Sequence, residues 1–121
     1  VMIHTGNGVP SSLPSLAIPP AREYPDVTFV LAHAGGGVFG CEALVAAQVC
    51  PNIYLETSWC TVYMLKSFLK QLGCKRLMFG TDNPTNVGME LEKYRVQRLP
   101  DEDLGWCLGR TAEQVFSLQP A

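Results

Sequence analysis

Three residues that can bind a metal or move a proton lie where apolar segments of this sequence end. His4 and His33, the only histidines of the chain, each directly follow a short apolar run, and Asp82 closely follows a third run. The carboxyl ends of neighbouring strands converge on one edge in parallel α/β proteins, and catalytic groups are mounted there. Two imidazoles and one carboxylate are groups that Zn²⁺ and similar ions bind. The sequence therefore predicts a metal and acid–base site formed by these three residues.

Such a site would have a defined chemistry. A bound divalent ion lowers the pKa of a water ligand to about 7 and so generates a hydroxide nucleophile, and a nearby histidine or aspartate can move the proton. Simpler interpretations exist for each residue alone: a strand-end histidine bonded to the backbone, or a strand-end aspartate that caps a helix. Two histidines and one aspartate are also too few for a complete set of zinc ligands.

Strand and helix patterns alternate along the chain. Apolar strand candidates begin 23 to 26 residues apart and cover 1–4, 27–32, 53–57 and 76–81. Helical patterns fill the gaps between them, over 11–24, 39–49 and 61–72. Pro19-Pro20 should kink or split the first helix, and Gly73 should end the third. Regular alternation of this kind predicts βα units and a parallel sheet.

The last third of the chain predicts shorter helices. The charged segment 89–95 is expected on the surface, and 100–108 begins with acidic residues that favour a helix start. Thr111 and Gln114 have capping-box spacing, which predicts that the final helix opens at Thr111 and runs to Leu118.

Side-chain alternation gives expectations for direction. If Asp82 points into the interior of a barrel, Arg76 does too, and if His33 points inward, so does Leu31. Glu56 would then lie beside Arg76 on the adjacent strand. A buried ion pair between these two is the preferred interpretation, because an unpaired interior charge is costly.

Composition limits the possible classes of protein. The 121 residues are 47% apolar and 17% charged with a net charge of −2, which suits one domain with a sizeable core and gives no basic patch for nucleic acid. No apolar run reaches the ~18 residues of a membrane span, and no dinucleotide or Walker fingerprint is present. The five cysteines form no C-x-x-C pair, which favours reduced thiols in a cytoplasmic protein over a zinc–cysteine cluster.

Four segments together resemble one known family. They are Val1-Met-Ile-His-Thr-Gly6, 24–36 with its Leu-Ala-His-Ala-Gly-Gly ending, Pro51-Asn-Ile-Tyr-Leu-Glu-Thr-Ser58, and 75–84 with its Phe-Gly-Thr-Asp-Asn-Pro ending. In this order they resemble the C-terminal half of a metal-dependent amidohydrolase of the amidohydrolase-related type. That group includes the aminocarboxymuconate-semialdehyde decarboxylase-like enzymes.

The resemblance implies a fold. Residues 1–121 would form strands five to eight of a (β/α)8 TIM barrel, that is, the C-terminal half of one amidohydrolase-like domain. A start inside a strand is also expected for the back part of a larger protein. A half barrel has exposed edges, so we expect it to associate with either a missing N-terminal half or further copies of the chain. The other partner expected is a small-molecule substrate.

The resemblance also implies roles for individual residues. His4 matches the strand-five histidine that binds the metal, and Asp82 matches the strand-eight aspartate, a metal ligand and proton shuttle. His33 matches the strand-six histidine, which acts as acid and base in the decarboxylase-like members and is a ligand in others. Ser58 would lie at the active-site rim, with an unclear role.

These roles predict an enzyme with a divalent cofactor, with Zn²⁺ the expected ion. The parent protein is expected to hydrolyse a small carbonyl compound with metal-activated water. An alternative is a non-oxidative decarboxylase, or carboxy-lyase, of a small unsaturated or aromatic acid. A further alternative is that this chain is an inactive fragment that needs its missing half.

Overall fold

A parallel sheet forms the centre of the molecule. The computed structural model describes residues 1–118, and in that range the sheet has four strands in the order β1-β2-β3-β4. All neighbouring strands are parallel. Their bounds are β1 Met2–His4, β2 Phe29–Ala32, β3 Ile53–Glu56 and β4 Leu77–Met78. The predicted α/β class and parallel βα arrangement are confirmed, although β4 is shorter than the 76–81 predicted.

Helices follow each strand. The α-helices are α1 Ile18–Glu23, α2 Gly40–Val49, α3 Val62–Leu72, α4 Val87–Arg95, α5 Asp101–Gly105 and α6 Thr111–Phe116. Short 3₁₀ turns cover Pro14–Ala17, His33–Gly35, Cys74–Arg76 and Pro84–Asn86, and a π turn covers Trp106–Arg110. Among residues 1–118, no helix is both long and apolar enough to cross a bilayer.

The first helix differs from the kinked 11–24 helix predicted. A 3₁₀ turn over Pro14–Ala17 leads into α1, and Pro19 and Pro20 lie in the first turn of α1. Backbone N–H groups in a first turn have no partner within the helix, so proline is tolerated there. The two prolines therefore start a helix and do not interrupt one.

The capping box predicted at Thr111 is also wrong. Thr111 has helical backbone angles, because the π turn Trp106–Arg110 continues directly into α6. Its side chain is buried, and the hydroxyl donates to the Cys74 carbonyl at 3.5 Å. The spacing of Thr111 and Gln114 thus coincides with a capping box but serves packing against the turn before β4.

The main core lies between one face of the sheet and the helices. Phe29 and Leu31 of β2 are buried there with Leu55 of β3, against Leu65 and Phe68 of α3. Thr61 caps the start of α3 by accepting from the Met64 N–H, and Gly73 ends it with φ 79°, as predicted for Gly73. Strand residues of the opposite parity are left for the other face of the sheet.

The predicted ion pair between Glu56 and Arg76 does not form. In the β3–β4 register Glu56 is opposite Met78, so Arg76 lies two residues nearer the amino end, level with Tyr54. There the Arg76 guanidinium donates to the carbonyls of Ala47 and Ile53 and lies 5.1 Å from the centroid of the Tyr54 ring. Burial lowers the pKa of Arg76. The two side chains are therefore separated along the strands, and Glu56 is free for another role.

Candidate active site

One cavity lies at the carboxyl ends of the strands. Its volume is about 330 Å³, and its lining is His4, Thr5, Asn7, His33, Gly36, Gly37, Trp59 and Asp82. The three residues singled out in the sequence thus face the same space, from the ends of β1, β2 and β4. The rings of His4 and His33 are 4.9 Å apart between centroids in an edge-to-face arrangement.

The turns after β1 and β2 are joined by buried contacts. The Thr5 hydroxyl donates to the Ala32 carbonyl at 2.8 Å and accepts from the Gly35 N–H at 2.9 Å. Gly6 passes so close to Gly35 that an added Cβ would lie 3.0 Å from its backbone. This close approach brings His4 and His33 together, while the His4 ring itself is exposed, with Nε2 3.3 Å from the Asn7 carbonyl.

His33 breaks the strand alternation predicted for it. Its φ of 67° lies in the left-handed region, and the following Ala34 has φ 45°. As a result Leu31 points into the helix-facing core, while His33 turns to the cavity. The prediction that both residues share one face is therefore wrong, because alternation applies only while the backbone remains extended.

Glu56 is buried behind the cavity lining, next to His33, which is part of that lining. Its Oε2 accepts from the His33 N–H at 3.0 Å and from the Ser58 hydroxyl at 2.8 Å, and its Oε1 accepts from the Ser58 N–H at 2.7 Å. The Ser58 Oγ is also 2.8 Å from His33 Nδ1. One carboxylate thus joins the ends of β2 and β3, and we refer to Glu56, Ser58 and His33 as the central triad.

Gly80 makes room for this carboxylate from the neighbouring strand end. A Cβ at Gly80 would lie 2.7 Å from Glu56 Cδ and closer still to its Oε1. Because even a methyl group cannot be accommodated without moving Glu56, residue 80 is restricted to glycine by the side chain across from it. The sequence could not have shown this contact between residues 24 positions apart.

Trp59 and Asp82 form the other side of the cavity. The Trp59 indole Nε1–H donates to Asp82 Oδ2 at 2.9 Å. Both residues have left-handed backbones, with φ 61° and 56°, as His33 and Ala34 do. Non-glycine residues seldom adopt this conformation, and such strain clusters at functional sites. Asp82 is otherwise exposed, and the role of Trp59 was not recognised in the sequence.

Helix α4 holds the loop that carries Ser58 and Trp59. Lys93 Nζ donates to the carbonyls of Thr57 and Cys60, at 3.0 and 2.8 Å, and pairs with Glu90 Oε2 at 2.5 Å. Glu90 Oε1 accepts from the Trp59 N–H at 3.2 Å. Glu90, Lys93 and Tyr94 are buried, so the surface position predicted for all of 89–95 is wrong at these three residues.

The ionisable groups beneath this loop are strongly desolvated. Burial raises the pKa of the Cys60 thiol from 9.0 to about 11, against the opposing effect of Lys93. Burial also raises the pKa of Tyr94, whose hydroxyl is 2.5 Å from that of Thr57. A thiol with a raised pKa is a poor nucleophile, so the chemistry of the site must come from the groups that line the cavity.

The sequence matches a known protein family over all the residues that the structure describes. The family model described as amidohydrolase matches residues 1–118. The chain belongs to the amidohydrolase family. No curated protein gives a significant match. The resemblance seen in the sequence is thereby confirmed at the level of the family, while the decarboxylase-like subgroup stays a prediction.

Solved structures support the same fold. Two crystal structures of an amidohydrolase from Burkholderia multivorans, one with bound zinc and one with bound HEPES, each match with a TM-score of 0.73 and 17% sequence identity. Each alignment covers 98% of this chain and 53% of the other chain. The chain therefore spans about half the length of that amidohydrolase, and at this identity the likeness is one of fold.

The donors around the cavity form a partial metal-binding set. Two imidazoles and one carboxylate line it, and these are ligand types that Zn²⁺ accepts. Within the described part of the chain, however, no three His, Cys, Asp or Glu side chains come together in a ligating cluster. The ligand types fit a divalent ion, but the side chains that converge within residues 1–118 are too few to form a complete metal site.

Proposed function

We propose that this chain carries half of the active site of a divalent-metal-dependent hydrolase. The substrate class is a small carbonyl compound, in which a C–N or C–O bond is cleaved by an activated water. The observation that carries the proposal is that His4, His33 and Asp82 line one cavity at the carboxyl ends of parallel strands. Its volume of about 330 Å³ suits a small organic molecule.

In this proposal His4 and Asp82 hold the ion, for which Zn²⁺ is the expected identity. When bound, such an ion supplies Lewis acidity to the carbonyl and to the attacking water. His33 accepts a proton from that water, and Trp59 orients the Asp82 carboxylate through its indole N–H. The remaining ligands would come from other residues of a complete barrel, in which this chain would supply strands five to eight.

The family alone does not distinguish hydrolysis from decarboxylation. Both reactions would use the same metal-binding residues, and they differ in the product that is released. Full-length protein loaded with zinc should release acid from ester or lactone substrates, measured by pH-stat titration, or free amine from amide substrates, measured with an amine-reactive dye. It should release no CO₂ from unsaturated or aromatic acids. Release of CO₂ as the only activity would overturn the hydrolase and favour the carboxy-lyase.

Zinc binding by the chain itself can be tested more directly. We expect isothermal titration to show that Asp82→Asn and His4→Gln each weaken zinc binding by about tenfold or more. The first removes the anionic carboxylate and the second the imidazole, and losing a ligand should cost at least as much as losing the partner that orients one. Asp26→Asn is the matched control, since Asp26 is exposed in a turn outside the cavity lining. Equal affinities for all variants would reject these two residues as ligands.

The chain could instead be inactive without the rest of a barrel. Two observations favour this: the incomplete donor cluster within residues 1–118, and the exposed side chains of Met2 on the edge strand β1 and of Val1 just before it. Zinc content by mass spectrometry and molar mass by light scattering test it. A metal-free dimer or larger assembly would support a fragment that needs a partner, whereas a zinc-loaded monomer would oppose it.

The cellular location is part of the same proposal. The five cysteines are all free thiols, three of them buried. Thiols persist unpaired in reducing compartments, which supports a cytoplasmic enzyme.

A further inference from the structure

The central triad contains a hydrogen-bond chain whose direction is set by its buried end. Glu56 receives three donors: the His33 N–H, the Ser58 N–H and the Ser58 hydroxyl. A carboxylate can only accept hydrogen bonds. The Ser58 hydroxyl has one proton, and the 2.8 Å contact with Glu56 Oε2 uses it. Its oxygen is then left with lone pairs alone to offer to His33.

The ring of His33 must therefore supply the next proton in the chain. Its Nδ1 lies 2.8 Å from Ser58 Oγ, and this contact is a hydrogen bond only if Nδ1 carries a hydrogen. In neutral imidazole one nitrogen is a donor and the other an acceptor, and the partner of one nitrogen decides the state of the other. Within residues 1–118 the structure shows no hydrogen-bond partner for Nε2 of His33.

We propose that Glu56 and Ser58 are positioning residues that hold neutral His33 in its Nδ1–H tautomer, so that Nε2 offers a lone pair to the cavity. Free neutral histidine prefers the opposite tautomer, so the protein would reverse an intrinsic preference. In this form His33 can accept a proton or bind a cation at Nε2, and it cannot donate a hydrogen bond there. The role of Ser58, unclear from the sequence, is to transmit the acceptor character of Glu56 to the ring.

The backbone supports the same arrangement. Glu56 Oε2 binds the main-chain N–H of His33 as well as the hydroxyl that contacts its ring, so one oxygen fixes both ends of the residue. The left-handed backbone of His33 needs such anchoring to persist. Gly80 leaves the space in which the carboxylate can adopt this position. All these contacts lie within the chain and involve no bound ion.

Nuclear magnetic resonance can read the tautomer without any activity assay. The full chain is labelled with nitrogen-15 histidine and studied metal-free at pH ~9, above the ordinary histidine pKa of about 6.5. With only two histidines, the His4→Gln variant assigns the His33 signals. We expect a pyrrole-type shift at Nδ1 and a pyridine-type shift at Nε2 of His33. The reverse pattern in the wild type would overturn the proposal by itself.

Three variants distinguish positioning from general packing. Ser58→Ala and Glu56→Gln should lose the Nδ1–H pattern, the first because the acceptor is gone and the second because an amide cannot accept all three bonds. Ser58→Thr keeps the hydroxyl and should therefore keep the Nδ1–H pattern. Ser67→Ala, on α3, is the control and should leave it unchanged. An Nδ1–H tautomer that survives in folded Ser58→Ala would contradict the role of Ser58.

This inference deepens the proposed function, which assigns His33 as the base, but its test is separate. Zinc titration can fail for want of ligands while the tautomer is as expected, in which case only the metal assignment falls. Conversely, zinc can bind through His4 and Asp82 while His33 shows the Nε2–H form, and then only the positioning role falls.

Discussion

The centre of the candidate site and its two flanks are built in different ways. At the centre, the triad of Glu56, Ser58 and His33 is largely buried and each member is held by hydrogen bonds of 2.7–3.0 Å. At the flanks, His4 and Asp82 are exposed, and within residues 1–118 the side chain of each makes a single hydrogen bond. The chain thus fixes the proposed base by itself and leaves the proposed metal ligands adjustable.

This difference separates two requirements of a metal-dependent site. A general base must be held in one orientation and tautomer before substrate arrives. Metal ligands are oriented partly by the ion itself, so exposed side chains that are held by one hydrogen bond each can still adjust to it. Substitutions at the centre should accordingly lower stability, whereas those at the flanks should lower metal affinity at little cost in stability.

The largest loss of stability is expected from the support beneath the centre. Lys93→Met removes the cation that pairs with buried Glu90 and the ammonium donor that the carbonyls of Thr57 and Cys60 share. Breaking a buried pair in this way costs about 3–5 kcal/mol, measured by urea unfolding. The matched control is Arg95→Met, because the Arg95–Glu92 pair has the same i,i+3 spacing on the same helix but side chains 71% and 60% exposed.

The control should cost only about 0–1 kcal/mol, as exposed pairs do. Comparable losses for both variants would mean that the buried pair does not support the loop. Replacing Glu90 by leucine together with Lys93→Met should recover part of the loss, since it removes the unpaired buried charge.

Alkaline pH should weaken the same region. Burial raises the pKa of Cys60 to about 11, from 9.0 for an unperturbed thiol. The unfolded thiol loses its proton first, so the free energy of unfolding falls as pH rises between these two values, by about 3 kcal/mol in total. Below pH 9.0 the Cys60 thiol is protonated in both states, so none of this stability is lost there. Cys60→Ala should show a shallower decline of stability over that pH range, and an unchanged slope would contradict the assignment to Cys60.

A steric change at the centre should cost somewhat less. Gly80→Ala introduces a methyl group into the Glu56 carboxylate, which is anchored by three hydrogen bonds and cannot move freely. Overpacking of this kind costs about 1–3 kcal/mol, measured by thermal or urea unfolding. Gly88→Ala is the control, because its Cβ would meet nothing within 4 Å on α4 and alanine favours a helix. It should be neutral or stabilising.

The order of the elements and the place of the site could be predicted from the sequence. Strands covered on both faces are continuous apolar runs, and the sequence has four of them. The segments between these runs are each long enough for one helix, which predicts a parallel sheet. The carboxyl ends of parallel strands share one edge, which is why His4, His33 and Asp82 line one cavity.

The support of the site could not be predicted, for two physical reasons. Its partners are distant in sequence: the Gly80 contact with Glu56 and the Lys93 contacts with residues 57 and 60 depend on how strands and helices pack. The site also depends on left-handed backbone conformations, at His33 and Trp59, for which the sequence carries no recognisable signal. The alternation rule therefore misplaced Leu31 relative to His33, and the ion-pair rule assigned Glu56 to the wrong partner.

The smallest effect on stability is expected at a flank. Trp59→Phe keeps an aromatic ring beside the cavity and removes the indole N–H that Asp82 Oδ2 accepts at 2.9 Å. Because both side chains are partly exposed to water, the loss should stay below about 1 kcal/mol. Zinc affinity should fall by about tenfold or more if Asp82 binds the ion, as it does when a partner that orients a ligand is removed. Thermal unfolding and isothermal titration measure the two quantities.

The second tryptophan provides a control with the same chemical change. Trp106→Phe also deletes an indole N–H, but the Nε1 of Trp106 has no hydrogen-bond partner within residues 1–118, and its ring lies beside Lys75 away from the cavity. It should leave zinc affinity unchanged. If Trp59→Phe behaved like Trp106→Phe in the titration, Asp82 would be oriented without the indole. If instead Trp59→Phe unfolded the chain, the flank would be as rigid as the centre, and the contrast between them would fail.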